Sequence, residues 1–290
     1  MTVRIGVVGS INLDLVASGA PLPQAGETVT GARFAQHPGG KGANQALAAR
    51  RLGAEVHMIG CVGDDALAEA ALALLREDGV NVSGVMSEIG TPTGVALIAV
   101  STEGENQITV ASGANERVGP GDAAGLPKCD VILCQLEVPV SAVTAAAEQA
   151  IQSGALMAIN LAPAQNVPSE LLRQADLLIV NEIESECYGD VLHQSGGMVA
   201  LTLGGEGAVL FKNGQEIARV PAFPVQVVDT TGAGDTFCGA LAVALAEGMQ
   251  PEQALRFASA AGALAVTRPG AQPSLPHRAQ VDEFLKQQSK

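Results

Sequence analysis

No uninterrupted apolar run in this 290-residue chain reaches the ~18 residues a membrane-spanning helix needs, and the opening MTVRIGVVGS has neither a basic start nor a long apolar core. The expectation is a soluble, cytoplasmic protein with no membrane partner. Positive charge is scarce too: 16 Lys+Arg stand against 30 Asp+Glu, a net charge of −14. Such a surface repels a nucleic-acid backbone, so nucleic acid is not an expected partner. A mononucleotide remains compatible, because local amides, a few cations and Mg²⁺ can supply a positive field.

Cysteine pairing is missing as well. Cys61, Cys129, Cys134, Cys187 and Cys238 are odd in number, form no CxxC, and sit mostly among apolar residues, which reads as reduced thiols of a core. There is no internal repeat, low-complexity tract or charged tail. The familiar nucleotide fingerprints are absent: GSINLD (9–14) is not G-x-G-x-x-G, and GGKGAN (39–44) lacks both the earlier glycine and the Ser/Thr of a Walker loop. A Rossmann dehydrogenase and a Walker-type NTPase both lose ground.

What is present is a chain with 47% hydrophobic residues, enough to bury a large core. Short apolar strand candidates near 4–8, 55–60, 130–134, 155–159, 177–180 and 198–203 alternate with helical stretches near 41–52, 65–77, 141–152, 169–174 and 182–188. That alternation predicts an α/β fold, a mostly parallel sheet with helices on both faces. Helices are also expected near 235–247, 251–267 and 278–287. Residues 15–36 and 93–113 break the pattern and read as extra strands forming a small lid.

Several motifs offer chemistry. In VVDTTGAGDTFCGALAVALAEG (227–248), Val225, Val227 and Val228 read as a strand end, Gly232-Ala233-Gly234 as a tight turn, and Asp235 as an acid at a helix N-terminus. Free N–H groups there make an anion cradle with a carboxylate at its rim, although an aspartate in a first helical turn is also an ordinary cap. GSINLDLV (9–16) places Asn12 and Asp14 on one face of an extended chain, at the C-terminal end of a strand, where α/β sheets bind ligands. HPGGKGANQALAARRLG (37–53) puts Lys41 at a helix start with Asn44 nearly one turn on, a donor and acceptor set suited to hydroxyls, or simply a glycine turn entering a helix. NEIESE (181–186) offers Asn181 and Glu184 for Mg²⁺ through water, or a solvated acidic turn. TLGGEG (202–207) is a hairpin, or a floor for a purine and its ribose.

In this order, these segments resemble the PfkB carbohydrate kinase family. GGKGANQA and DTTGAGDTFCGAL match its two signature regions, and GSINLD, GETVTG, TGVALI, GENQITVASGAN and AVTRPGAQPS also read like members of that family, from residue 5 to about 285. The resemblance implies one kinase domain over 1–290, a three-layer α/β/α sandwich with a mostly parallel central sheet and a small β lid. It implies that ribose or a similar sugar is held by Asn12, Asp14, Gly40, Lys41, Asn44 and Glu137, with Asp235 as base and the amides of Gly232, Ala233 and Gly234 as an anion hole. ATP with Mg²⁺ would lie along Asn181, Thr202, Gly204 and Glu184. An activating K⁺ would sit behind the anion hole on Asp229, Thr231 and Ser274 and the carbonyls of Ala265, Arg268 and Gly270.

Two departures stand out. Between Asn181 and Thr202 the chain is shorter than the family pattern by most of one peripheral helix, beside the expected ATP site. Leu161 stands where the family has proline, with Asn160 and Pro163 kept. The reading implied is ATP-dependent phosphorylation of ribose to ribose 5-phosphate. Deoxyribose, fructose or a nucleoside are alternative acceptors, and a sugar-binding protein that has lost turnover is the alternative of another class. Exposed lid edges and an apolar lid face imply a homodimer through the lid.

Overall fold

The computed structural model describes residues 2–194 and 196–288. Its strands are β1 (Arg4–Val8), β2 (Asn12–Ser18), β3 (Arg33–Gly39), β4 (Glu55–Gly63), β5 (Asn81–Glu88), β6 (Gly94–Val100), β7 (Asn106–Ala111), β8 (Val131–Cys134), β9 (Leu156–Asn160), β10 (Leu177–Asn181), β11 (Met198–Thr202), β12 (Ala208–Lys212) and β13 (Gln215–Val220). The helices are α1 (Lys41–Arg51), α2 (Ala66–Glu77), α3 (Pro120–Ala123), α4 (Val140–Ser153), α5 (Ser169–Gln174), α6 (Glu182–Tyr188), α7 (Ala233–Ala246), α8 (Pro251–Ala265) and α9 (Arg278–Gln287).

Among the described residues, nine strands form the central sheet in the order β13-β12-β11-β10-β9-β8-β1-β4-β5. From β11 to β5 the pairing is parallel, and β12 and β13 close one edge antiparallel. The inner strands are short and apolar on both faces because both faces are covered. Ile5, Val7, Leu133 and Ile179 point into one core with Leu47 of α1, Leu241 of α7 and Phe257 of α8. Val8, Ile132, Cys134 and Leu178 alternate into a second core with Val143 of α4 and Leu171 of α5. Two cores on one sheet are the three layers the sequence predicts.

The lid is a separate four-stranded sheet, ordered β3-β2-β6-β7. Its strands begin earlier and end later than the predicted 15–36: Asn12 opens β2 and Gly39 closes β3, with no strand over 19–32. The Asn12/Asp14 pair therefore lies on the lid, after a turn at residues 9–11, and not at the end of a central strand. His37 and Pro38, read as part of a glycine turn, are strand residues opposite Asp14 and Leu13. Asp14 pairs laterally with Ala96, which ties the acid to the parallel neighbour β6.

Val225, Val227 and Val228 do not end a strand. Pro221 and Pro224, with no N–H for a ladder, stand just before this segment, its Val228 and Asp229 amides go to the Val266 carbonyl after α8 instead of a strand, and Val227 and Val228 are exposed. The preceding strand is β13, joined to β12 by Asn213-Gly214, both at positive φ. That is the two-residue hairpin chemistry of an Asn-Gly pair, a signal that was available in the sequence.

One close approach positions the site. A Cβ on Gly239 of α7 would lie 2.8 Å from the Gln45 carbonyl and 2.9 Å from the Ala48 Cβ. Only the bare glycine lets α1 lie flush on α7, and that contact brings residues 44 and 45 beside Asp235.

Candidate active site

The C-terminal ends of β8, β9, β10 and β11 lead to Glu137, Asn160, Asn181 and Thr202, and the lid stands over them, so the crevice lies where open parallel sheets bind ligands. Gly232 caps α7 at φ 78°, a left-handed conformation that favours glycine. The Ala233 N–H is taken by the Thr230 carbonyl at 3.3 Å, whereas the amides of Gly234 and Asp235 meet no protein acceptor among the described residues. They point out of the helix N-terminus and remain open for an anion.

Asp235 is buried, and both its oxygens accept from neutral amides: Oδ2 from Asn44 Nδ2 at 2.9 Å and Oδ1 from Gln45 Nε2 at 3.0 Å. The sequence reading named Asn44 and missed Gln45. The signal was the position next to Asn44 in GGKGANQA. Glu137 Oε2 accepts from Ser10 Oγ at 2.5 Å and from the Lys41 N–H at 3.0 Å, and Ser10 Oγ in turn accepts from the Gly42 N–H at 3.2 Å. Ser10 and Asn115 were also missed. Asn115 Nδ2 donates to Asn12 Oδ1 at 2.7 Å and its Oδ1 accepts from the Ile11 N–H at 2.8 Å. Gly40, at φ 88°, must be glycine, since a Cβ there would sit 2.7 Å from the Asn12 nitrogen.

Asp14 is buried against Gly39 and accepts no hydrogen bond from the protein among the described residues. Burial pushes its carboxyl up to about 7, with Glu137 and Asp235 adding to the rise. Lys41 answers Asp235 and Glu137. Burial pulls its ammonium down, but Asp235 and Glu137 outweigh that and hold it above its usual value.

Lys41, Asn160, Asn181, Glu184, Asp235 and Cys238 surround a cavity of about 230 Å³. It shares Thr202, Thr230 and Gly234 with an apolar slot of about 310 Å³, walled by Phe223, Val227, Ala263 and Val266. Gly204 also lines the slot. A larger cleft of about 550 Å³ lies at the N-terminal ends of β9 and β11, and no predicted site residue lines it.

Asn181 and Glu184 form a reciprocal cap on α6: Asn181 Oδ1 accepts from the Glu184 N–H at 2.8 Å, and Glu184 Oε2 from the Asn181 N–H at 2.9 Å. One carboxylate oxygen is thus committed to the helix, while the side chain still borders the cavity. Burial raises the Glu184 pKa, partly offset by the Asn181 N–H and Lys41. The short connection that follows is a single 3₁₀ turn, Gly189–Gln194, before β11.

Of the six positions expected for a monovalent cation, Asp229, Thr231 and Gly270 are joined directly by hydrogen bonds. Asp229 Oδ1 accepts from the Thr231 N–H and hydroxyl at 2.9 and 2.6 Å, and Oδ2 from the Gly270 N–H at 2.8 Å. The Val228 and Asp229 amides bond to Val266 O beside Ala265, and Arg268 N bonds to Ala265 O. Ser274 is buried, with its hydroxyl on Ala271 O at 2.8 Å. Burial would raise the Asp229 carboxyl, but the Thr231 and Gly270 donors and nearby His37 hold it below its ordinary value. One ionised carboxylate among hydroxyls and carbonyls is a hard oxygen set, which fits an alkali cation and not a soft metal. Gly232 packs within 3.1 Å (as a built Cβ) of the Ala271 Cα, so this cluster backs directly onto the anion loop.

The comparisons with known proteins meet this geometry. The model of the pfkB family carbohydrate kinases matches residues 4–278. The chain belongs to the PfkB carbohydrate kinase family. It is 41% identical to the ribokinase of Bacillus subtilis over 292 residues, covering 97% of this chain and 99% of that protein. The solved ribokinase of Thermotoga maritima superposes with a TM-score of 0.88 at 34% identity, covering 98% of this chain and 99% of that one. A ribokinase of Arabidopsis thaliana, solved complexed with ribose and ATP, gives 0.88 at 34% identity, covering 99% of each. The protein is therefore an ATP-dependent carbohydrate kinase with the ribokinase-like fold. As for the membrane, no helix among the described residues is long and apolar enough to cross one.

Proposed function

We propose that this PfkB kinase transfers the γ-phosphoryl group of ATP to the 5-hydroxyl of D-ribose, giving ribose 5-phosphate and ADP. The observation that carries the reading is Asp235, buried and oriented by two amides, on the wall of a polar cavity that runs into an apolar slot beside free helix N-terminal amides.

In this reading the sugar lies under the lid, its hydroxyls on Asn12, Asp14, Gly40, Lys41, Asn44 and Glu137. Asp14 is the strongest case, because a buried carboxylate with no protein donor gains most from a ligand that brings O–H groups. The base and ribose of ATP take the apolar slot along Thr202 and Gly204, with Asn181 at the phosphates. The sugar oxygen forms its bond to the γ-phosphorus as the bond to the bridging oxygen of ADP breaks, and the proton passes to Asp235. A carboxylate suffices, since in a loose phosphoryl-transfer transition state the proton leaves late and positioning dominates. Of the amides expected to stabilise charge on the transferred group, those of Gly232 and Gly234 serve in this reading, joined by that of Asp235, while the Ala233 N–H is held by the Thr230 carbonyl. Glu184, with one oxygen uncommitted to the α6 cap and its side chain on the cavity, would hold a Mg²⁺ through water, and that ion would supply neutralisation of phosphate charge. K⁺ on Asp229, Thr231, Ser274 and the carbonyls of Ala265, Arg268 and Gly270 would fix the shape of the anion loop.

The protein works in this reading as a cytoplasmic homodimer paired through the lid. Strand register places Asn12, Asp14 and Val16 on the same lid face as Ile98, Ile108 and Val110, so the substrate face runs on into an apolar surface. Ile108 and Val110 are exposed, and a second lid would cover them. Sedimentation at micromolar concentration checks this, and a monomeric mass overturns it.

The function itself is tested by ADP release with Mg·ATP and ribose, deoxyribose, fructose or nucleosides, with and without K⁺, for wild type and Asp235→Asn. Ribose-dependent turnover that falls at least ~10²-fold in Asp235→Asn supports the reading. Sugar binding without turnover would favour a protein that binds sugar and has lost catalysis.

A further inference from the structure

We infer that Gln45 is a positioning residue for Asp235, the end of a buried chain of side-chain amides that starts at the backbone of β10 and sets the orientation of the carboxylate. The inference rests on the reading of Asp235 as the base.

The chain of bonds has one possible direction. The Ile179 carbonyl can only accept, so Asn160 must present Nδ2 to it, at 3.2 Å. That leaves Asn160 Oδ1, again an acceptor, facing Gln45 Nε2 at 3.1 Å. The second hydrogen of the same nitrogen goes to Asp235 Oδ1 at 3.0 Å. Gln45 Oε1 then accepts from Gln135 Nε2 at 2.6 Å. A flipped Gln45 would set its oxygen against two acceptors and its nitrogen against the Gln135 donor, so the rotamer is held from both ends.

Burial argues that this chain is there for the acid. Gln45 and Gln135 are both 0% exposed, in a region otherwise filled by alanine, leucine and valine. Gln135 Oε1 has no partner and fits only because Gly9 lacks a side chain. Stability alone would be served by apolar residues, since buried amides gain little beyond what they lose in hydration. The chain has a single charged outlet, Asp235 Oδ1. Asn44 holds the other oxygen from the next position of α1, so the plane of the carboxylate is defined by two consecutive residues, and each oxygen keeps a lone pair for the sugar hydroxyl.

The test compares Gln45→Met, Gln45→Glu and Gln135→Leu with wild type and Asp235→Asn, using ribose and Mg·ATP. Gln45→Met, similar in volume but with no donor, is expected to lower kcat by ~10- to 10²-fold with KM for both substrates within about threefold, the mark of misplaced chemistry rather than weakened binding. Gln45→Glu is expected to be slower still at alkaline pH, and to regain kcat relative to wild type as pH falls and the new carboxyl, once protonated, again donates toward Asp235. Gln135→Leu keeps both Gln45 donors and should lose the least. A packing role would instead lower the melting temperature, move kcat and KM together, and leave the Gln45→Glu to wild-type ratio flat with pH. A flat ratio, or Gln45→Met within twofold of wild-type kcat, overturns the inference. If Asp235→Asn itself keeps full activity, the reading of the base fails. If Asp235→Asn is inactive while Gln45→Met is not impaired, Gln45 alone is wrong.

Discussion

On the lid side of Asp235 the walls are acids, amides and one lysine, and several of these polar groups are tied to one another: Ser10 to Glu137, Asn115 to Asn12, Asn44 and Gln45 to Asp235. On the other side, from Thr202 to Val266, the walls are mostly glycine, valine, alanine and phenylalanine, and Val227 stands exposed. In the proposed reading the lid side takes the sugar, organised before any ligand arrives and recognising through directed hydrogen bonds. The other side takes the nucleotide and offers shape and apolar area. Polar preorganisation gives selectivity, because a missing hydroxyl leaves buried groups unpaired, whereas an apolar slot discriminates weakly.

Changes that touch one side should separate the two. The largest effect is expected from Asp14→Ala: losing one charge-assisted hydrogen bond of ~1.5–3 kcal/mol raises the sugar KM by ~10- to 100-fold. The ATP KM should stay near its wild-type value, and steady-state kinetics with each substrate varied in turn checks both. Next, Ala263→Leu fills the apolar slot and should raise the ATP KM by ~10-fold through overpacking, with the sugar KM unchanged. Equal movement of both constants in either variant would collapse the distinction between the sides.

If K⁺ binds as proposed, its exchange for a large organic cation should cost a smaller, several-fold loss of kcat, since the ion would act on the Gly232–Gly234 loop from behind. Asp229→Asn should lose that K⁺ response, as turnover measured across a KCl titration will show. The smallest effect concerns pH. Burial lifts the Asp14 carboxyl from its ordinary 3.8 to about 7 in the folded chain, so the folded state holds an extra proton between the two. Stability of the ligand-free protein therefore falls as pH rises through that window, in the sense opposite to a salt-bridged aspartate. Above about 7 the ionised form accepts sugar hydroxyls, so the sugar KM should drop about threefold or more from pH 6 to pH 8. Asp14→Asn should flatten both trends, followed by thermal unfolding and by KM.

How much was legible follows from how local each feature is. The inner strands β1, β8, β9 and β10 announce themselves as short apolar runs between helices, because both faces are buried. The strands β2 and β3 do not, since they carry Asn12, Asp14, His37 and Pro38 toward a site rather than a core. Val225–Val228 looked like a strand from its valines, but flanking prolines deny it a ladder. Among site residues, Asp235 and Asn44 were visible in their motifs. Ser10, Gln45 and Asn115 were not, because their polar partners lie about 90 to 190 positions away in the chain.

The sequence by itself determined the α/β alternation, the two glycine turns that open α1 and α7, and the family, all properties written in neighbouring residues through turn chemistry and hydrophobic period. Tertiary structure alone decided that Asp14, Glu137 and Asp235 share one field, which acid stays without a protein donor, and which amides hold Asp235. Those outcomes depend on distances between segments far apart in the chain, set by sheet order and by the α1–α7 contact at Gly239, and electrostatics and hydrogen bonds answer to distance in space.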